Sequence, residues 1–232
     1  MMFIGHDPFR ESCPDNAFRS VLSTAMQGIP RPASVLLLSC EMVTSGARVR
    51  TLASHAGDCN LLSELQKNIS GIQFIEDPDL QPDTWAMTVL ELMFPDMDIP
   101  IHLMSIDDNL DPLNHYFLGK ELRYLREKGV LIIALGNIVH NLSAASPECA
   151  AVPPDWAVHF GKKVKQHLKE RNFMTLVDHF HLGPDARMSI TEADHYMPLV
   201  YLLGAAGKKE RLKPFYEGFR HGTTSLDSFR IG

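Results

Sequence analysis

Short apolar runs alternate with amphipathic segments along the whole chain. Continuous apolar runs, rather than strictly alternating ones, are typical of strands whose two faces are both covered by other elements. We therefore predict strands at 1–5, 34–39, 72–76, 99–106 and 130–137, with a closing strand near 223–232.

Apolar residues at helical spacing separate these strands. Asp15 or Asn16 can cap a first helix that ends near Gly28, and Asp83 can cap a later one. Asp111-Pro112 opens a long helix that ends at Gly129. Further helices are predicted at 61–69, 156–169 and 193–203. This alternation, without linkers or repeats, predicts one α/β domain over residues 1–232, with a mostly parallel or mixed central sheet and helices on both faces.

The composition is that of a globular protein, with 45% hydrophobic and 22% charged residues among 232. The net charge is −6, and no basic block stands out, so we expect no nucleic-acid partner and no membrane-surface role. No apolar run approaches the roughly 20 residues that a membrane-spanning helix needs. The expected partners are therefore small molecules, and a homo-oligomer is compatible with the sequence.

The cysteines predict the compartment. The four residues are widely spaced and contain no CxxC pair, which favours reduced thiols. The N-terminal "MMFIGHDPFR" is too short and too soon interrupted for a signal peptide. Both observations predict a cytoplasmic protein.

Candidate chemistry follows the predicted strands. His6 comes after the first strand, Glu41 after the second and His140 after the strand that begins at Val130, and His195 stands out near the C-terminal helix. Ligands of open α/β sheets bind outside the carboxyl ends of the strands. Two histidines with one carboxylate are the ligand set of non-haem Fe(II) oxygenases, whereas three histidines with a carboxylate also suit Zn(II). A strand-end histidine is more often a hydrogen-bonded loop residue, so spacing alone does not decide.

Several motifs resemble those of one family. "FIGHDPFRESCPDN" resembles its Gly-His strand end followed by Asp-Asn, and "LGNIVHNL" is close to its Gly-Asn-x-Val-His-Asn-Leu. "FPDMDIPIHLMSID" and "DHYMPLVYLLGA" resemble two further segments. Over nearly the whole chain, the sequence is similar to the class III extradiol ring-cleavage dioxygenases (the LigB superfamily), in the branch similar to DOPA 4,5-dioxygenase.

The resemblance implies roles for individual residues. His6 and His195 match positions that hold the metal in relatives, and His140 matches a histidine at the metal or beside it. His115 also matches a family histidine, although its position within a helix favours packing. Fe(II) is the implied metal, with Zn(II) as the alternative, and a small aromatic diol and O₂ are the implied substrates.

The sequence departs from the family pattern in three places. Glu41 stands where the family has a second metal-ligating histidine, and Thr84 stands where an Asp-His-Gly motif supplies a proton-shuttling histidine. Threonine cannot carry a proton near neutral pH as histidine does. The connection after Cys59 is also shorter than in relatives.

Three functional hypotheses follow. The first is a metal-dependent dioxygenase with an altered metal set of His6, Glu41 and His195, in which His140, His115 or Thr84 lies at the catalytic position. The second is a family member with another metal-dependent reaction in a biosynthetic pathway. The third is a catalytically silent homologue that acts as a partner subunit.

Overall fold

A mixed sheet crosses the middle of the computed structural model, which describes residues 1–9, 15–52 and 61–232. Its strands, together with those of a small hairpin, are β1 (Met2–Gly5), β2 (Ser34–Thr44), β3 (Arg48–Leu52), β4 (Ile75–Glu76), β5 (Ile101–Asp107), β6 (Val130–Gly136), β7 (Leu212–Tyr216), β8 (Phe219–Arg220), β9 (Thr224–Ser225) and β10 (Ser228–Ile231).

The centre of the sheet is parallel and its sides are antiparallel. Within the described residues the main sheet has the order β4-β3-β5-β2-β6-β1-β10-β7. β5, β2, β6 and β1 run parallel to one another, whereas β3 pairs antiparallel with β5, and β10 pairs antiparallel with β1 and β7. The carboxyl ends of β1, β2, β5 and β6 therefore lie at one edge, where the predicted site residues follow the strands.

Helices cover both faces of the sheet. They are α1 (Asn16–Thr24), α2 (Leu61–Asn68), α3 (Thr84–Met93), α4 (Pro112–Leu122), α5 (Tyr124–Glu127), α6 (Asp155–Glu170), α7 (Phe173–Val177), α8 (Pro184–Ser189) and α9 (Met197–Ala205). The side chains of Asp15, Asp83 and Asp111 accept hydrogen bonds from backbone N–H groups at the starts of α1, α3 and α4. Among the described residues, no helix is long and apolar enough to cross a bilayer.

Successive residues of β2 pack into different cores. Leu36 and Leu38 join one apolar cluster, with residues of α4, α6 and α9, while Val35 and Leu37 join the other, with residues of α1 and α3. Side chains of a strand point alternately to its two faces, so a strand buried on both faces must be apolar at every position. The predicted fold class is thereby confirmed: an α/β unit with a mixed sheet covered on both faces.

The structure differs from the predicted elements in a few places. The long predicted helix divides at Arg123, whose guanidinium donates to the carbonyl oxygens of Gly204, Ala205 and Ala206. β2 extends to Thr44, and β3 and β7 were not predicted.

Cys149 is disulfide-bonded, so the prediction of reduced cysteines is wrong for this residue. The shortened connection after Cys59 falls partly on residues 53–60, outside the described residues.

Candidate functional site

Glu41 lies between two imidazoles. Its Oε1 atom is 3.9 Å from Nε2 of His6 and 3.9 Å from Nε2 of His195. His6 directly follows β1, Glu41 lies in the distal part of β2, and His195 ends a 3₁₀ turn over Ala193–His195. The structure therefore brings together three residues that the sequence analysis selected from distant parts of the chain.

Asp83 lies next to His6 at the site. The backbone N–H of His6 donates to Gly136 O (2.9 Å), and its Nε2 lies 3.4 Å from Asp83 Oδ1. Asp83 also accepts from the Ser39 hydroxyl (2.9 Å) and caps α3. Burial raises the pKa of the Asp83 carboxyl, but its interaction with His6 and the hydrogen bonds from Ala86 N–H and the Ser39 hydroxyl outweigh burial and lower the pKa to about 2. Asp83 is therefore a fixed negative charge beside His6.

Asn137 sets the tautomer of His195. The Asn137 amide N–H₂ donates to the carbonyl oxygens of His6 and Ser225, both at 2.8 Å, so its Oδ1 must accept from His195 Nδ1 at 3.0 Å. With the proton on Nδ1, the lone pair of His195 is on Nε2, the atom that faces Glu41. Metal-ligating histidines are commonly oriented in this way by a hydrogen bond to their other nitrogen.

His140 stacks on His195 rather than facing Glu41. The two ring centroids are 3.5 Å apart and the planes are inclined by 11°. His140 is buried, and neither ring nitrogen has a hydrogen-bond partner among the described residues. Its Nδ1 lies 3.6 Å from Glu192 Oε2, which is also 3.6 Å from His195 Nε2. Glu192, on the solvent side, is thus a carboxylate that sequence reasoning did not select.

Burial keeps both stacked imidazoles neutral. Desolvation, with a smaller effect of His6, lowers the pKa of His140 to about 4. Desolvation, followed by the effects of His140 and His6, lowers the pKa of His195 to about 2. A neutral imidazole is the form that binds a metal or accepts a proton.

Thr84 and His115 have different locations. Thr84 is exposed at the start of α3 and lines a cavity of about 250 Å³ together with His6, Glu41 and Asp83. His115 is buried on α4, with its ring 5.0 Å from that of Tyr201, and desolvation lowers its pKa to about 4. Among the described residues, no hydrogen bond, ion pair or ring contact joins His115 to His6, Glu41 or His195. The cluster therefore includes Thr84 at its wall and leaves His115 in the packing between helices.

In the part of the chain that the structure describes, two groups of three residues have donor atoms that all lie within 4.8 Å of one another: His6, Cys40 and His195, and His140, Glu192 and His195. Two ligand atoms that share a metal at about 2.0–2.3 Å lie roughly 3–4.5 Å apart. The 3.9 Å spacings of Glu41 from both imidazoles fall in this range. In the first of the two groups, the donor atoms are Cys40 Sγ and one ring nitrogen each of His6 and His195.

The sequence identified the histidines of the site but not the residues that contact them, Asn137 and Asp83. Asn137 is in the quoted "LGNIVHNL" motif and Asp83 was expected only as a helix cap, so their positions were noticed but their contacts were not. Their hydrogen-bond directions depend on residues 58 and 77 positions away along the chain. A polar residue at a buried strand end was the one signal that could have identified Asn137.

The family profile described as "Catalytic LigB subunit of aromatic ring-opening dioxygenase" matches residues 51–225, more than half of the chain. The chain belongs to the LigB family. The predicted family is thereby confirmed, and this LigB member is an enzyme of the extradiol-type dioxygenase class. LigB extradiol dioxygenases are metal-dependent, which agrees with the donor set at the carboxyl edge of the sheet.

Relatives extend the match along the chain. A protein named 4,5-DOPA dioxygenase extradiol from Escherichia coli K12 is 26% identical and aligns with 100% of this LigB chain and 94% of its own length. A protein of the same name from Mirabilis jalapa is 33% identical over 65% of this chain and 55% of its own length. The crystal structure of an uncharacterized Escherichia coli K12 protein superposes with a TM-score of 0.88 at 29% identity, covering 100% of this chain and 98% of the other.

Proposed function

We propose that this chain is a metal-dependent extradiol dioxygenase that opens the ring of a small catechol. The metal ligands are His6, Glu41 and His195. The observation that carries the proposal is the position of Glu41 Oε1, 3.9 Å from Nε2 of both histidines. Two histidines and one carboxylate, with positions left open, form the ligand set of non-haem Fe(II) oxygenases. Fe(II) is the proposed metal, with Zn(II) as the competitor.

The bound Fe(II) would supply positions for both catechol oxygens and for O₂, so that the ring opens beside the diol. The protein residues prepare the site for this chemistry. Asn137 keeps the Nε2 lone pair of His195 directed at the metal position, and Asp83 places a negative charge beside His6. His140 is neutral near pH 7 and lies against His195, where a ring nitrogen without a protein partner among the described residues is free to hydrogen-bond the substrate hydroxyl.

A catechol such as DOPA is the proposed substrate class. Four relatives that align with this chain are named 4,5-DOPA dioxygenase extradiol, and they come from a bacterium and three plants. The cavity of about 250 Å³ at His6 and Glu41 opens on the solvent side of the metal position. Thr84 on its wall offers no proton near neutral pH, so we expect slow turnover.

Thr84 also supports a second candidate function. A cavity that keeps the metal donors but lacks the shuttle histidine suits a member of the family that binds metal without opening catechols. Such a chain would be a silent homologue or would catalyse another metal-dependent reaction. The experiment that follows separates these functions.

The test is metal loading followed by oxygen uptake. The full chain is loaded with Fe(II) without oxygen, the bound iron is measured, and DOPA and air are then added while O₂ consumption and the yellow semialdehyde product are followed. We expect nearly one iron per chain and slow, matched O₂ uptake and product formation. His195→Ala should lose both, whereas His181→Ala should lose neither, because His181 is exposed and bonds to Asp178 at 2.6 Å.

Each contrary result has a definite meaning. Stoichiometric iron without O₂ uptake on any catechol would show that the chain binds metal but is not a catechol dioxygenase. Equal iron content in the wild type and His195→Ala would show that the ligand set is wrong.

A further inference from the structure

A second donor lies beside Glu41. Cys40 is free and buried, with 3% of its surface exposed. Its sulfur and one ring nitrogen each from His6 and His195 all lie within 4.8 Å of one another. The side chain of Glu41, in contrast, is 44% exposed. The two imidazoles are thus approached by a thiol from the protein interior and by a carboxylate from the solvent.

An irregularity in β2 explains why neighbours in sequence reach the same site. Side chains of a regular strand alternate between opposite faces, which would separate Cys40 from Glu41. The pairing of β2 with β5 shifts register between Leu38 and Val43, the segment that contains both residues. Such shifts bend a strand locally and redirect side chains, and they are frequent beside active sites.

We propose that Cys40 is a protein ligand of the same metal ion, bound through its thiolate on the buried side of the site. The inference rests on the metal site of the proposed function and adds a sulfur donor to it. On binding, the thiol loses its proton to solvent and a metal–sulfur bond forms, with no change of oxidation state. The cation class is a divalent ion that accepts nitrogen and sulfur together, such as Zn(II), Co(II) or Fe(II).

Two buried imidazoles hold this position open for a cation. His6 is 3% exposed, and its Nδ1 has no hydrogen-bond partner among the described residues. His195 is 8% exposed, and its Nε2 is left unprotonated by the Asn137 hydrogen bond at Nδ1. Buried polar atoms are normally satisfied, so the unpartnered Nδ1 of His6 and the Nε2 lone pair of His195, next to a thiol, form a donor set that suits a divalent cation.

The sulfur donor has a consequence for metal preference. For a given nitrogen, oxygen and sulfur site, Zn(II) binds more tightly than Fe(II), and thiolate is one of its preferred ligands. We therefore expect Zn(II) to displace Fe(II) from this chain at equal concentration. Glu41, on the exposed side, is the ligand that a chelating catechol would displace, while Cys40 stays bound.

The test uses Co(II) as a visible substitute for the native metal. Co(II) is added without oxygen to the full chain, and bound metal is measured together with the absorption spectrum. A cobalt–thiolate bond gives an intense near-ultraviolet charge-transfer band, which nitrogen and oxygen donors do not give. We expect nearly one Co(II) per chain with this band in the wild type, loss of the band in Cys40→Ser, and retention of the band in Glu41→Gln.

The outcomes separate this inference from the proposed function. Bound Co(II) without the band in the wild type overturns the Cys40 assignment and leaves the metal site intact. If the band persists in folded Cys40→Ser, it comes from another thiol, and the proposal is also overturned. No bound Co(II) at all overturns both the inference and the metal site. If Cys40→Ser does not fold, X-ray absorption of the zinc-loaded wild type decides, because a Zn–S distance of about 2.3 Å is expected.

Discussion

Single residues of the site differ in how far the sequence could identify them. His6 and Glu41 were selectable because they follow apolar runs whose carboxyl ends meet at one edge of a parallel sheet, whereas His195 stood out as a polar residue near the C-terminal helix. The role of Asn137 could not be identified from the sequence, because the same amide could cap a turn or face solvent. Only the carbonyl oxygens of His6 and Ser225 force its Oδ1 toward His195. Hydrogen-bond direction is a tertiary property, and spacing along the chain does not contain it.

Thr84 provides a prediction at the residue scale. It lines the cavity with His6 and Glu41, where the resemblance to the family expects a histidine. Thr84→His should supply an acid/base group beside the substrate and raise DOPA turnover by about 10²-fold, the low end of general acid/base assistance. The measurement is the initial rate of semialdehyde formation by Fe(II)-loaded protein.

Thr88→His is the matched control for this change. Thr88 lies one turn further along α3 and is not part of the cavity wall. Its replacement introduces the same imidazole outside the site, so turnover should stay at the wild-type value. An equal gain in both variants would mean that the added histidine acts through metal uptake from solution and not as a proton shuttle in the cavity.

At the scale of elements, two glycines bring α4 and α9 into close contact. A Cβ atom at Gly119 would overlap the carbonyl oxygen of Tyr201, and one at Gly204 would overlap that of Tyr116. α9 directly follows His195, and at Gly136, the end of β6, a Cβ would overlap His195 O. The close packing of α4, α9 and β6 therefore fixes the depth at which His195 enters the site.

Gly119→Ala tests this packing. Because the overlapping atom belongs to the backbone, the helices must separate, and we expect the free energy of unfolding to fall by about 1–3 kcal/mol. Gly161→Ala in α6 is the control, since its added Cβ meets no atom within 4 Å and should stabilise the helix by up to about 1 kcal/mol. Urea unfolding measures both. Equal stability of the two variants would refute the close-contact argument.

Four of the predicted strands share one property. β1, β2, β5 and β6 are buried on both faces, so their apolar runs are unbroken and easy to recognise. β3 and β7 are partly exposed and carry charged residues, such as Arg48 and Lys213, within the strand. Their strand conformation depends on pairing with β5 and β10, which lie elsewhere in the chain. Local pattern is too weak a signal there, because neighbouring strands supply the backbone hydrogen bonds.

For the whole molecule, a buried carboxyl couples folding to pH. Asp227 is 3% exposed, its Oδ1 lies 3.5 Å from Lys165 Nζ, and its Oδ2 has no hydrogen-bond partner among the described residues. Burial raises its pKa to about 6, although Lys165 opposes this rise. In the unfolded chain the same carboxyl has an ordinary pKa near 3.8. Between these two values the folded state binds more protons than the unfolded state, so the contribution of Asp227 to stability must fall as pH rises.

Asp227→Asn should remove most of this pH dependence. The difference between the two pKa values corresponds to about 3 kcal/mol, which the wild type loses as pH rises from about 4 to about 6 and keeps only below pH 4. The variant should therefore be more stable than the wild type at pH 7.5 and not at pH 4, as measured by urea unfolding at both values. Glu217→Gln, at a half-exposed carboxylate 3.2 Å from the same lysine, should keep most of the wild-type slope. An identical slope in the wild type and Asp227→Asn would mean that Asp227 is already ionised at pH 4, because Lys165 then compensates fully for its burial.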